Sequence, residues 1–86
     1  MKLKLFWQPD CVKCPKAKEL CDDLEREGLG VVRFNIAERD GLAESAFYSI
    51  LSTPSIVVVD DNDDEIKSWH SEAPEKKEVL ECLTKK

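Results

Sequence analysis

Hydrophobic and polar positions alternate at the start of the chain, in KLKLFW (residues 2–7), before the segment turns wholly apolar. This predicts a strand that enters the core at its C-terminal end. Pro9 and Asp10 close it. From about Cys11 to Glu27 the period becomes helical. Ala17, Leu20, Cys21 and Leu24 fall at i, i+3, i+4 and i+7, a single buried stripe, with Lys13, Lys16, Lys18, Asp22, Asp23, Glu25 and Arg26 on the wet face. Pro15 suits the first turn, where its missing N–H has no helical partner. Gly28 and Gly30 are expected to end the helix.

VVRFNI (31–36) reads as a second strand whose imperfect alternation fits cover on both faces. A shorter helix is expected from about Asp40 to Leu51, with Leu42, Phe47, Ile50 and Leu51 inward. SIVVVD (55–60) follows Thr53-Pro54 and is the most β-branched stretch, so a central strand is expected. DNDD (61–64) is a turn. EIKSWH (65–70) gives a fourth strand, Ile66 and Ser68 set against Lys67 and Trp69, closing a hairpin. Pro74 opens a last helix with Val79, Leu80 and Leu83 inward, and Lys76, Lys77, Lys85 and Lys86 on a solvated face.

The order is βαβαββα. Strand–helix–strand connections demand right-handed crossovers and parallel pairs, and the hairpin adds antiparallel strands. The expected fold class is α/β, a four-stranded mixed sheet with helices on both faces. Eighty-six residues suffice for one domain, residues 1–86. Apolar residues make up 42%, too many for disorder. The net charge of −5 argues against a nucleic-acid surface, which needs clustered Lys and Arg. No stretch reaches the roughly 20 apolar residues of a membrane span, and the N-terminal segment lacks the apolar run and cleavage site of a signal peptide. The cytoplasm is the expected compartment. There a close cysteine pair reads as catalytic or metal-binding rather than as a structural staple.

That pair is Cys11 and Cys14, in PDCVKCPKAKEL (9–20). Cys11 falls where the first strand hands over to the first helix. Unpaired backbone N–H groups and partial positive charge at a helix start favour a thiolate over a thiol. Cys14 lies one turn on, and positions i and i+3 share a face. Cys11 can attack a substrate disulfide, and Cys14 can then resolve the mixed disulfide. A proline entering a central strand also needs a reason, because it cannot donate to the ladder. A cis Thr53-Pro54 bond is one reason, and an ordinary trans proline at a strand start is the other. In the cis case the turn could offer the Thr53 backbone to an extended substrate chain.

FWQPDCVKCP and STPSIVVVD, in this order and spacing, resemble the active-site segment and the cis-proline segment of the thioredoxin and glutaredoxin superfamily. The resemblance covers nearly the whole chain and implies a thioredoxin-like fold. It also implies a redox-active disulfide with Cys11 as nucleophile and Cys14 as resolving cysteine, Pro54 as the cis-proline, and a substrate groove that includes Thr53. Trp7 resembles the tryptophan packed beneath the thioredoxin active site. The length matches glutaredoxins. The pattern departs at SWHSEAP (68–74), where glutaredoxins carry a Gly-Gly that helps bind glutathione. It departs again at Leu5, where thioredoxins bury an aspartate, and at Asp10, where thioredoxins have tryptophan. The Asp10 carboxylate either opposes thiolate formation at Cys11 somewhat or caps the helix, which is the expectation here.

The function expected is protein-disulfide reduction by dithiol exchange. The expected protein is a monomer with no bound cofactor or metal, served by an upstream reductase or small-thiol donor. Two other classes compete: a zinc or iron–sulfur site and a non-catalytic binding module. Zinc prefers four thiolate or imidazole ligands. The chain has no second C-x-x-C, and Cys21 stands about 10 Å along the helix from Cys14. Cys21 and Cys82 read as core residues, and the lone His70 as an exposed strand end.

Overall fold

A computed structural model describes residues 1–84; Lys85, Lys86 and the Leu83 side chain lie outside the described residues. The elements are β1 (Lys2–Trp7), α1 (Cys14–Arg26), β2 (Gly30–Asn35), α2 (Arg39–Phe47), β3 (Ser55–Val59), β4 (Glu65–His70) and α3 (Lys76–Thr84). The strands form one mixed sheet in the order β2-β1-β3-β4. β1 runs parallel to β2 and antiparallel to β3, and β3 pairs antiparallel with β4. The expected βαβαββα order and the interior position of SIVVV both hold.

Alternation along β1 and β3 divides the core into two layers. Leu3, Leu5, Ile56, Val58 and Trp69 face the α1 and α3 side, where Ala17, Cys21, Leu24 and Val79 meet them. Phe6, Val57 and Val59 face the α2 side, with Tyr48 and Ile50. Each fully buried Leu, Ile or Val is worth about 1.5–3 kcal/mol relative to exposure. The α1 stripe is as expected from its spacing. Gly28 terminates α1 with φ of +95°, a conformation only glycine adopts freely. Gly30 does not end the helix but begins β2, opposite Lys2.

Three faces differ from expectation. In α2 the inward residues are Gly41 and Ser45, followed by Tyr48, whereas Leu42, Phe47 and Leu51 are exposed and only Ile50 is buried as expected. The cause is contact distance. A Cβ on Gly41 would sit 2.0 Å from the Asn35 carbonyl oxygen, so the helix backbone lies against the end of β2 and only small residues fit between. In β4, Trp69 is buried and Ile66 is half exposed. The ladder steps from Val58–Lys67 to Val59–Glu65, which leaves Ile66 unpaired in a bulge, and Trp69 takes the core position beside Ile56. In α3, Val79 is buried as expected, but Leu80 is exposed.

Lys4 breaks the sequence pattern most sharply. Alternation predicts a wet lysine, yet it is buried on the α2 side. Its ammonium donates to Glu44 at 2.5 Å and to the Tyr48 hydroxyl at 2.9 Å, and it lies 4.8 Å from the Tyr48 ring centroid. Burial pulls the Lys4 pKa down. The hydrogen bonds to Glu44 and Tyr48 outweigh it, so the group titrates above an ordinary lysine. Tyr48 in turn donates to the Asp63 carbonyl at 2.8 Å, tying α2 to the β3–β4 turn. Removing one partner of a buried pair costs far more than replacing both with apolar groups. Glu44 keeps 29% of its side chain in solvent, so Lys4→Ala should lower urea-unfolding stability by about 1–3 kcal/mol, and Lys4→Met with Glu44→Leu should stay within about 1 kcal/mol of the native protein. Gly41→Ala should cost about 1–3 kcal/mol in the same measurement, because the added methyl meets backbone rather than a movable side chain.

Candidate active site

β1 ends at Trp7, whose carbonyl accepts the Ile36 N–H at 2.9 Å. The chain then turns through exposed Gln8 and Pro9 to Asp10, which sits at φ of +62°. Aspartate tolerates this left-handed conformation better than most residues. The turn re-aims the backbone so that Cys11 stands just ahead of α1. The Cys14 N–H donates to the Cys11 carbonyl at 3.3 Å. Lys13 occupies the N-cap without a side-chain bond, and Pro15 lies in the first turn. Asp10 therefore does not cap the helix: its left-handed turn precedes Cys11, and the N-cap falls three residues later. The first turn of α1 also holds no carboxylate, so nothing acidic there offsets its partial positive charge.

Cys11 and Cys14 are joined in a disulfide, their Cα atoms 5.3 Å apart. They are not equivalent. Cys11 is half exposed, while Cys14 is only 2% exposed and leads the α1 core stripe. Thr53-Pro54 is a cis peptide, which answers the question left open by the sequence. Ser55 pairs with Phe6 on one side and His70 on the other, so Thr53-Pro54 enters the sheet at the end where Trp7 leaves it. Pro54 is buried and Thr53 half buried. The Ser55 hydroxyl donates to the Ser52 carbonyl at 2.8 Å, and the Ser52 hydroxyl meets that of Ser71, which bind this turn to the end of β4. Trp7, the cysteine pair, Thr53-Pro54 and His70 thus share one end of the sheet. His70 is exposed, with Nε2 3.0 Å from the Ser68 hydroxyl.

The sequence pattern placed Lys13, Lys16 and Lys18 alike on the wet face of the first helix. The structure gives Lys18 the closer role. Its Nζ lies 3.7 Å from the Trp7 ring centroid, a cation–π contact over the ring. The available signal was its position four residues after Cys14, on the same helix face. Cys21 sits in the α1 core, away from the pair, and Cys82 packs partly buried from α3. Burial pushes the Cys21 thiol up to about 11. Among the described residues no three His, Cys, Asp or Glu side chains converge as a metal site, and no helix is long and apolar enough to cross a membrane.

No protein-family model matches the chain. A curated relative, a probable thioredoxin of Archaeoglobus fulgidus, is 30% identical over 59 residues, covering 67% of this chain and 65% of that protein. The chain thus matches just under two thirds of that relative's length. Among solved structures, malarial thioredoxin-2, described as a component of the parasite's protein secretion machinery, superposes with a TM-score of 0.80 at 15% identity, over 98% of this chain and 81% of the other. Thioredoxin 1 of Thermosipho africanus gives 0.68 at 17% identity, over 96% and 90%. A thioredoxin from Thermus thermophilus gives 0.67 at 17%, over 94% and 68%. The fold is therefore thioredoxin-like.

Within this thioredoxin-like fold Cys11, Cys14 and Cys21 differ in burial, and alkylation should read the difference. With the disulfide reduced, iodoacetamide at pH 8 should label Cys11 ahead of Cys14 and leave Cys21 unmodified until denaturant is added. Peptide mass mapping over time checks this. Rapid native-state labelling of Cys21 would contradict its burial and raised pKa.

Proposed function

We propose that this thioredoxin-like chain is a thiol–disulfide oxidoreductase that reduces protein disulfides. One observation carries the reading: a half-exposed Cys11 is bonded to a buried Cys14 at the start of α1, on the sheet end that also presents Thr53-Pro54. The Cys11 thiolate attacks one sulfur of the substrate disulfide. A Cys11–substrate disulfide forms, and the other substrate sulfur leaves as a thiolate and takes up a proton. Cys14, deprotonated, then attacks Cys11 Sγ. The second substrate sulfur leaves as a thiolate and takes up a proton; two electrons have passed to the substrate, and the protein is left oxidised as the Cys11–Cys14 disulfide. An upstream reductase or small-thiol donor restores the dithiol by the reverse exchange.

The unequal exposure suits this order. The first attacker must be reached by a protein substrate, whereas the second needs only to reach Cys11. Thr53 would pair its backbone with an extended substrate segment, and Trp7, held under Lys18, would floor the site. Electrons pass between sulfurs alone, so the cycle needs no bound cofactor or metal.

Insulin reduction driven by dithiothreitol tests the reading through precipitation of the freed B chain. The native protein should accelerate it, and Cys11→Ser should abolish the acceleration. Cys14→Ser should accumulate a covalent adduct through Cys11, visible by non-reducing mass spectrometry. No acceleration by the native protein together with no adduct from Cys14→Ser would overturn the proposal.

A further inference from the structure

The second step of the proposed cycle asks a buried thiol to ionise. Cys14 is 2% exposed, and burial disfavours a thiolate. Cys21, seven residues on in the same stripe, shows the effect: desolvation pushes it up to about 11. Cys14 therefore needs a neighbour that offsets that cost, either a base to take its proton or a cation to hold its thiolate. The core around α1 supplies no base. From the other elements Leu5 and Trp7 of β1, Ile56 of β3, Trp69 of β4 and Val79 of α3 join this layer, and none of them titrates. Among the described residues no carboxylate or imidazole is buried, and the buried Lys4 lies on the α2 side with Glu44. Asp10, Lys13, Lys16, His70 and Glu72, at this end of the sheet, are exposed, where water screens them. Where α1 meets the segment leading to α3, Glu19 and Glu75 are exposed, Asp23 pairs with Arg26, and Lys76 pairs with Glu27.

Lys18 is differently placed. It stands four residues after Cys14, a spacing that brings Cβ atoms within about 6 Å on one helix face. Helix side chains lean toward the N-terminus, so Lys18 covers the turn that begins at Cys14. It is half-buried rather than solvated, and its Nζ lies 3.7 Å from the Trp7 ring centroid. Trp7 ends β1 four residues before Cys11 and packs against the same layer as α1. The contact fixes a cation where the strand end and the helix start flank the two cysteines. We infer that Lys18 is a positioning residue for the second step: held on Trp7, its ammonium stabilises the Cys14 thiolate that attacks Cys11. The inference rests on the oxidoreductase reading and adds a residue to its chemistry. In that step the Cys14 thiol gives its proton to solvent, and its thiolate bonds to Cys11 Sγ. The bond from Cys11 to the substrate breaks, and the electron pair leaves with the substrate sulfur. Cys11 is then capped and carries no charge, so the cation acts on Cys14 when its thiolate is needed.

Cys11→Ser reproduces that uncharged neighbour, and the Cys14 Cβ chemical shift reads its ionisation by NMR, under reducing agent, from about pH 5 to about pH 10. Adding Lys18→Met keeps a long stem over Trp7 and removes the charge. It should raise the Cys14 midpoint by about one pH unit, a roughly tenfold smaller thiolate fraction below both midpoints. Lys18→Arg in the same background should restore the lower midpoint. Cys21 should remain a thiol in all three proteins, since the charges that act on it are those of Arg33, Asp22 and Glu25.

A Cys14 midpoint unmoved by Lys18→Met would overturn the inference. So would a midpoint raised equally by methionine and by arginine, since packing on Trp7 rather than charge would then be the cause. The titration uses no substrate, so either result leaves the insulin assay untouched. A native protein that does not accelerate insulin reduction would instead remove the oxidoreductase reading, and this inference with it.

Discussion

The pairing of β1 with β3 in the register Phe6 opposite Ser55 is the constraint on which the rest of the molecule depends. It joins the strand that leads into the cysteine turn to the strand that Thr53-Pro54 begins. Strand side chains alternate, so a slip of one residue would exchange the two faces. Ile56 and Val58 would leave the α1 and α3 layer, and the proline turn would move along the sheet relative to Trp7. β3 buries four consecutive aliphatics (Ile56–Val59), so both of its faces are committed to a core layer.

The same packing sets the chemistry. Cys14, Ala17, Cys21 and Leu24 recur at intervals of three, four and three, and form the α1 stripe that docks on the sheet. Cys14 is thus a core residue as well as half of the disulfide, while Cys11, three residues earlier and outside the helix, stays within reach of solvent. Two cysteines only three positions apart acquire unlike environments because the helix begins between them. The left-handed turn at Asp10 and the uncapped Lys13 place that boundary.

Strands, helix order, sheet class and the placing of Cys11, Cys14 and Thr53-Pro54 were legible in the sequence, because period and punctuation report them locally. What remained hidden was which face of a segment meets the core when that choice depends on distance between elements. Gly41 reads as a weak helix residue, and its contact with Asn35 exists only once β2 and α2 are assembled. Without that contact, Leu42, Phe47 and Leu51 are the natural core candidates. Ile66 and Trp69 pose the same problem, since one bulged residue reverses the alternation. Lys4 was misread for a related reason: its partners Glu44 and Tyr48 stand forty and more positions away. Asp10 matched a capping residue by type and failed by position, because the helix starts later than the period suggested.

The most direct measurement is the redox equilibrium of the cysteines in dithiothreitol buffers of graded composition, quenched with acid, alkylated and mapped by mass. The account predicts one reversible two-electron transition, confined to Cys11 and Cys14, in which about 30 mV changes the ratio tenfold. Cys21 should remain a thiol throughout. A Cys11–Cys14 pair that stays reduced across the whole range, or that oxidises only by linking two chains, would contradict it.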